Sequence, residues 1–182
     1  LYLTDGDNGG AGSGKTTIAK QIADALELPF YMTGKVDDIF TLIGYKNAGG
    51  EYMETDFYRA FTTGGIFLGD EMDRYAPEAI VGINAGLANR RMAFPNGIAE
   101  AHEDFIFIGA GNTYGTGHDR VYTSAQALDG STLNRFVKLA INYDEVMERA
   151  VALAHNSAAG AWVDIVQGAR ANAKRANMDT II

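Results

Sequence analysis

Eight consecutive residues, Gly9-Gly10-Ala11-Gly12-Ser13-Gly14-Lys15-Thr16, place a lysine and a hydroxyl behind small residues at the spacing GxxxxGK[ST]. Glycines let a backbone wrap around phosphate oxygens with its N–H groups pointing inward. A helix opening at Lys15 would add the positive end of its dipole to such a cradle. From there Lys15 has the reach for β- and γ-phosphates, and the Thr16 hydroxyl can coordinate Mg²⁺. With Thr17 in the first helical turn, residues 9–17 form the expected seat of ATP. Asp5-Gly6-Asp7-Asn8 precedes the seat and carries two carboxylates, which repel phosphate, so this stretch is expected to loop outward.

Three further positions fit the same chemistry. Ile66-Phe67-Leu68-Gly69-Asp70-Glu71 is an apolar run ending in two acids. Asp70 would hold Mg²⁺, in part through water, and Glu71 would orient and deprotonate an attacking water. Gly69 is odd there, because glycine weakens a buried strand. Asn112 follows the apolar run Phe105-Ile106-Phe107-Ile108-Gly109-Ala110 and could orient water between a γ-phosphate and Glu71. Arg135, in Leu133-Asn134-Arg135-Phe136, could neutralise charge on a transferred phosphoryl group, although a lone arginine is usually a surface ion-pair partner. The three histidines, His102, His118 and His155, share no metal-ligand spacing.

Strands must alternate with helices to hold these residues at one edge. The sequence predicts strands at 1–4, 29–32, 65–69, 105–110 and 136–141, with helices at 15–27, 37–43, 56–61 and 77–90. That alternation implies an α/β three-layer sandwich around a mostly parallel five-stranded sheet. Gly49-Gly50, between Tyr45 and Tyr52, predicts a hairpin over 44–55, and Pro95-Asn96-Gly97 predicts another over 91–101. Residues 144–177 read as helix with a break near Gly160. The chain therefore divides into an α/β core, 1–142, and the start of a helical lid, 143–182. Both ends read as cut, since each falls in an apolar extended segment.

Composition bounds the function. At 182 residues with 47% hydrophobic and 21% charged residues, the chain can bury a core. A formal net charge of -8 makes nucleic acid an unlikely partner, since that binding needs clustered Lys and Arg. There is no cysteine, and no apolar run approaches the roughly 18 residues of a membrane helix, which leads to the expectation of a cytoplasmic protein with no membrane contact.

The order of the phosphate loop, acidic strand end, Asn112 and Arg135 resembles the AAA+ ATPases, in the helix-2-insert branch with MoxR proteins, the cobaltochelatase ATPase subunit and dynein-related domains. Residues 49–55, 92–97 and 111–117 look closest to the cobaltochelatase-like members. The resemblance implies Walker A roles for Lys15 and Thr16, Walker B roles for Asp70 and Glu71, and the sensor 1 role for Asn112. It implies that Arg135 is an arginine finger acting on a neighbouring subunit's nucleotide, hence a homo-oligomer, a hexameric ring. The 44–55 hairpin would be the helix-2 insert, with Tyr45 and Lys46 facing a protein substrate or partner subunit. Mg·ATP hydrolysis would then drive remodelling of a protein partner or assist metal insertion. A second arginine sensor would lie beyond residue 182. Three other readings stay open at this point: a small-molecule P-loop kinase, a GTP-dependent motor using Asp119-Arg120, and a nucleotide-responsive binding module with weak turnover.

Overall fold

In a computed structural model, residues 1–6, 10, 12–118 and 123–176 are described. The chain opens with β1 (Tyr2–Asp5), α1 (Lys15–Ala25), β2 (Phe30–Thr33), α2 (Phe40–Ile43), β3 (Tyr45–Lys46), β4 (Tyr52–Met53), α3 (Asp56–Thr63) and β5 (Gly65–Gly69). After a 3-10 turn at Met72–Arg74 come α4 (Pro77–Asn89), β6 (Arg91–Phe94), β7 (Gly97–Glu100), β8 (Phe105–Ala110), α5 (Gly130–Leu133) and β9 (Lys138–Ile141). The helices α6 (Glu145–His155) and α7 (Gly160–Arg175) complete it. Five strands form a wholly parallel sheet in the order β2-β5-β8-β1-β9, as the alternating pattern required.

Side chains alternate across each strand, and the sequence sorts them by shape. Leu3, Ile66, Leu68 and Ile108 pack aliphatic groups against Ala19 and Ala23 of α1. One residue out of phase, Tyr2, Phe67, Phe105 and Phe107 form an aromatic layer with Phe57 and Phe61 of α3 and Ile83 of α4. Small alanines let α1 lie close to the sheet, whereas the ring layer holds α3 through edge-on contacts such as Phe57–Phe67 at 5.1 Å and Phe61–Phe105 at 5.0 Å. Burial on both faces is why these strands read as continuous apolar runs.

Two helices are shorter than expected by two or more residues, while α3 runs on to Thr63 and α4 ends one residue early at Asn89. α1 stops at Ala25 instead of Glu27, because Glu27 takes φ 55 and Leu28 N–H reaches back to the Ala23 carbonyl at 3.0 Å. α2 begins at Phe40 instead of Asp37, since the Asp38 carboxylate accepts the Thr41 N–H at 3.1 Å and shapes a turn there. Both expected hairpins are present. β3 pairs antiparallel with β4 around an Asn47 side chain that accepts the Gly49 and Glu51 N–H groups, and β6 pairs with β7 across Pro95-Asn96. α6 and α7 are joined by a two-pronged Arg170–Glu148 pair at 3.0 and 2.9 Å. The guanidinium holds the Glu148 carboxyl below its ordinary range.

Gly69 has a steric explanation. A β-carbon there would stand 3.0 Å from Phe107 Cζ and 3.1 Å from the Tyr75 hydroxyl, so the strand end leaves room for two rings. A Gly69→Val variant is expected to lose about 1–3 kcal/mol of stability by overpacking. Urea unfolding checks this, and an unchanged midpoint with an unchanged slope would contradict it.

Candidate active site

Strand order brings the chemistry together. β5, β8 and β1 are consecutive in the sheet and parallel, so their carboxyl ends, followed by Asp70, Asn112 and the phosphate loop, stand side by side. α1 begins in that row with Lys15 as its first residue, after Gly14 at φ 90. Gly12 takes φ 83, and a β-carbon on either glycine would have nothing within 4 Å among the described residues. The loop thus opens onto free space at a helix N-terminus, which is the shape and polarity an anionic phosphate needs. Ser13 N–H closes back on the Gly10 carbonyl at 3.1 Å. Thr16 and Thr17 follow in the first turn of α1, Thr17 exposed. Gly9 and Ala11 lie outside the described residues, as do Asp7, Asn8, Asp119, Arg120 and 177–182.

The Lys15 ammonium is buried and fully engaged. It donates to Asp5 Oδ1 at 2.6 Å and to Asn112 Oδ1 at 3.1 Å, and both ends of the Lys15–Asp5 pair are 8% exposed. Ser13 Oγ donates to the same Asp5 oxygen at 3.0 Å. For Asp5 this corrects the expectation that the stretch before the loop turns outward. β1 continues through Asp5, which pairs in register with Ile141 of β9, and Gly6 N–H extends the ladder to the Ile141 carbonyl at 2.8 Å. Leu3 faces α1, so Asp5, two residues on, faces α1 as well and meets its first side chain.

Thr16 and Asp70 form the second grouping, with Thr16 Oγ1 donating to Asp70 Oδ2 at 3.3 Å. Adjacent oxygens on an octahedral Mg²⁺ stand about 3 Å apart, so this hydroxyl–carboxylate pair fits a Mg²⁺ completed by phosphate and water. Among the described residues no cluster of three or more His, Cys, Asp or Glu could hold a metal ion without such help. Glu71 follows at φ 50 and donates its N–H to Asp70 Oδ1 at 2.9 Å. Its carboxylate is held at 3.0 Å by Arg74, with the two side chains 40% and 36% exposed. Such a half-exposed pair is weak and gives way readily.

One residue escaped the sequence reading. Asp73, 1% exposed, accepts hydrogen bonds at Oδ2 from Asn112 N–H at 3.1 Å, Thr113 N–H at 2.9 Å and Thr113 Oγ1 at 3.1 Å. Its only signal in the sequence is being a third acid one turn beyond Asp70, in Asp70-Glu71-Met72-Asp73. The Tyr2 hydroxyl braces the same loop by donating to the Thr113 carbonyl at 3.2 Å. Burial, and after it the Asp73 charge, pushes that phenol above its ordinary range, so it stays a neutral donor.

Arg135 stands apart from all of these. It lines a cleft of about 310 Å³ with Leu1, Arg90, Phe105 and Phe136, at the amino edge of the sheet. Asp70 and Asn112 follow the opposite, carboxyl ends of their strands. Within one chain, Arg135 is not part of the Lys15 site.

The profile of the AAA domain, dynein-related subfamily, matches residues 8–136. None of the curated proteins matches the chain. Among solved structures, the P216G mutant of Thermotoga maritima RuvB superposes with a TM-score of 0.58 at 17% identity, covering 86% of this chain and 43% of RuvB. Brucella abortus NtrX in complex with ATP gives 0.54 at 16%, covering 77% and 30%. Hsp104 with ATPγS and casein gives 0.57 at 20%, covering 79% and 28%. At these identities the likeness is one of fold, and the chain spans less than half the length of each. No described helix is long and apolar enough to cross a membrane. A five-stranded parallel sheet, a glycine cradle at a helix N-terminus and a profile match over most of the length agree: the chain belongs to the dynein-related subfamily of AAA domains and is an ATPase domain.

Proposed function

We propose that this domain binds Mg·ATP on the loop 9–16 with Thr17 and hydrolyses it within a homo-oligomeric ring, hexameric as the family resemblance implies, to remodel a protein partner. The observation that carries the reading is the Lys15 ammonium, buried beside the open end of the glycine cradle and bonded to Asn112. Phosphate oxygens would take the place of Asp5 on that ammonium and gain the α1 N-terminus at the same time. Mg²⁺, held by Thr16 and Asp70, would neutralise charge on the phosphates. Glu71 would leave Arg74 and take a proton from the attacking water, which Asn112 orients from the other side.

Arg135 would act on a neighbouring subunit's nucleotide, since it projects from the sheet edge opposite its own chain's site. A protein is the favoured substrate class. The casein bound in the Hsp104 structure is one example of it on this fold, and the β3–β4 hairpin offers an exposed contact through Tyr45 and Lys46. A second reading, a nucleotide-responsive module with weak turnover, is favoured by the Lys15–Asp5 pair, which any nucleotide must break.

Two outcomes test the assignment in the full-length protein. Glu71→Gln is expected to keep ATP binding while turnover falls by at least about 100-fold, as measured by phosphate release. Unchanged turnover would remove Glu71 from its role, and a wild type with no turnover would favour the second reading. Mixing Arg135→Ala with Lys15→Ala subunits is expected to restore part of the activity that each lacks alone. Mixed rings that assemble yet stay inactive would contradict action across the interface.

A further inference from the structure

We propose that Asp73 is a positioning residue for the reaction, acting only through Asn112, and the inference rests on the catalytic reading of Asn112 given above. Asn112 sits half-buried on the turn after β8, and that turn is held from the neighbouring strand end. Asp73 Oδ2 collects the two consecutive N–H groups of Asn112 and Thr113 and the Thr113 hydroxyl, a three-donor clamp on a carboxylate shut away from water. In that geometry the Asn112 Oδ1 meets the Lys15 ammonium at 3.1 Å.

The surroundings are cut to admit the clamp. A β-carbon on Gly111 would lie 3.0 Å from Asp73 Cγ and 2.3 Å from the Tyr2 hydroxyl, so any other residue there would push the carboxylate out. A β-carbon on Gly109 would lie 2.8 Å from Met72 Sδ, which lets the Met72–Arg74 turn settle against β8. The Asp73 carbonyl accepts Gln126 N–H at 2.6 Å, tying down the far side of the turn. Asp73 Oδ1 has no hydrogen-bond partner among the described residues, so the carboxylate is committed to the loop through one oxygen. No hydrogen bond joins Asp73 to Lys15 or Thr16 among the described residues. Its effect on the reaction passes through the position of Asn112.

The consequence is a separation of turnover from binding. Asp73→Ala is expected to lower kcat about 10- to 100-fold, the usual range for a residue supporting a reactive one, while the Kd for ATP changes less than about twofold. Asn112→Ala should lower kcat to a similar level, and the double variant should be no slower than Asn112→Ala alone. Asp73→Asn keeps an oxygen for the three donors and should recover most of the rate. Thr113→Val removes one bond of the three and should cost about a few-fold, with no further effect in the Asn112→Ala background. The measurements are single-turnover ATP hydrolysis and equilibrium binding of a fluorescent ATP analogue on the full-length protein.

Losses that multiply in the double variants, or a Kd that rises as far as kcat falls, would overturn the inference and leave Asn112 its role. An Asn112→Ala variant with unchanged kcat would overturn both, and is recognised by that single variant. Should Asp73→Ala fail to fold, the Asp73→Asn and Thr113→Val pairs with Asn112→Ala decide by the same criterion.

Discussion

A lysine ammonium held at 8% exposure has to have its charge answered, and the rest of this site follows from what answers it. Lys15 must begin a helix so that its head reaches the loop mouth, and Gly14 at φ 90 makes that start possible. β1 must stop beside it, β8 must deliver Asn112, and β5 must deliver Asp70 to the neighbouring hydroxyl. Asp5 supplies that negative charge at 2.6 Å. On the proposed function the Asp5 carboxylate stands in for a phosphate oxygen on this buried cation.

That stand-in has a cost for function. Breaking a buried ion pair by removing one partner is worth about 3–5 kcal/mol, so a nucleotide that displaces Asp5 must return at least as much through its own contacts. The triphosphate has the means, with several oxygens, the α1 N-terminus and the Thr16–Asp70 pair all unused by Asp5.

Much of this was legible in the sequence. The parallel sheet follows from strands that read as unbroken apolar runs, and the shape sorting of Phe67 and Phe107 against Ile66 and Ile108 shows in their alternation. Lys15, Thr16, Asp70 and Asn112 stand out by residue type and position, and the fold brings them together in two bonded pairs. What stayed hidden depends on register between strands distant in sequence. Whether Asp5 turns in or out is decided by its pairing with Ile141, and nothing local carries that. Asp73 was missed for the same reason, since its donors lie 39 and 40 residues away. Gly69 looked like a defect until Tyr75 and Phe107 were seen to need its space.

The account stands or falls on whether Asp5 occupies the seat of a phosphate. Asp5→Asn keeps an oxygen for Lys15 and Ser13 but removes the competing charge. The direct measurement is the Kd for Mg·ATP of that variant against wild type, on full-length protein whose folding is checked by its melting temperature. The Kd is predicted to fall by at least about tenfold, equivalent to about 1.4 kcal/mol. An equal or weaker affinity in a folded Asp5→Asn protein would contradict the claim.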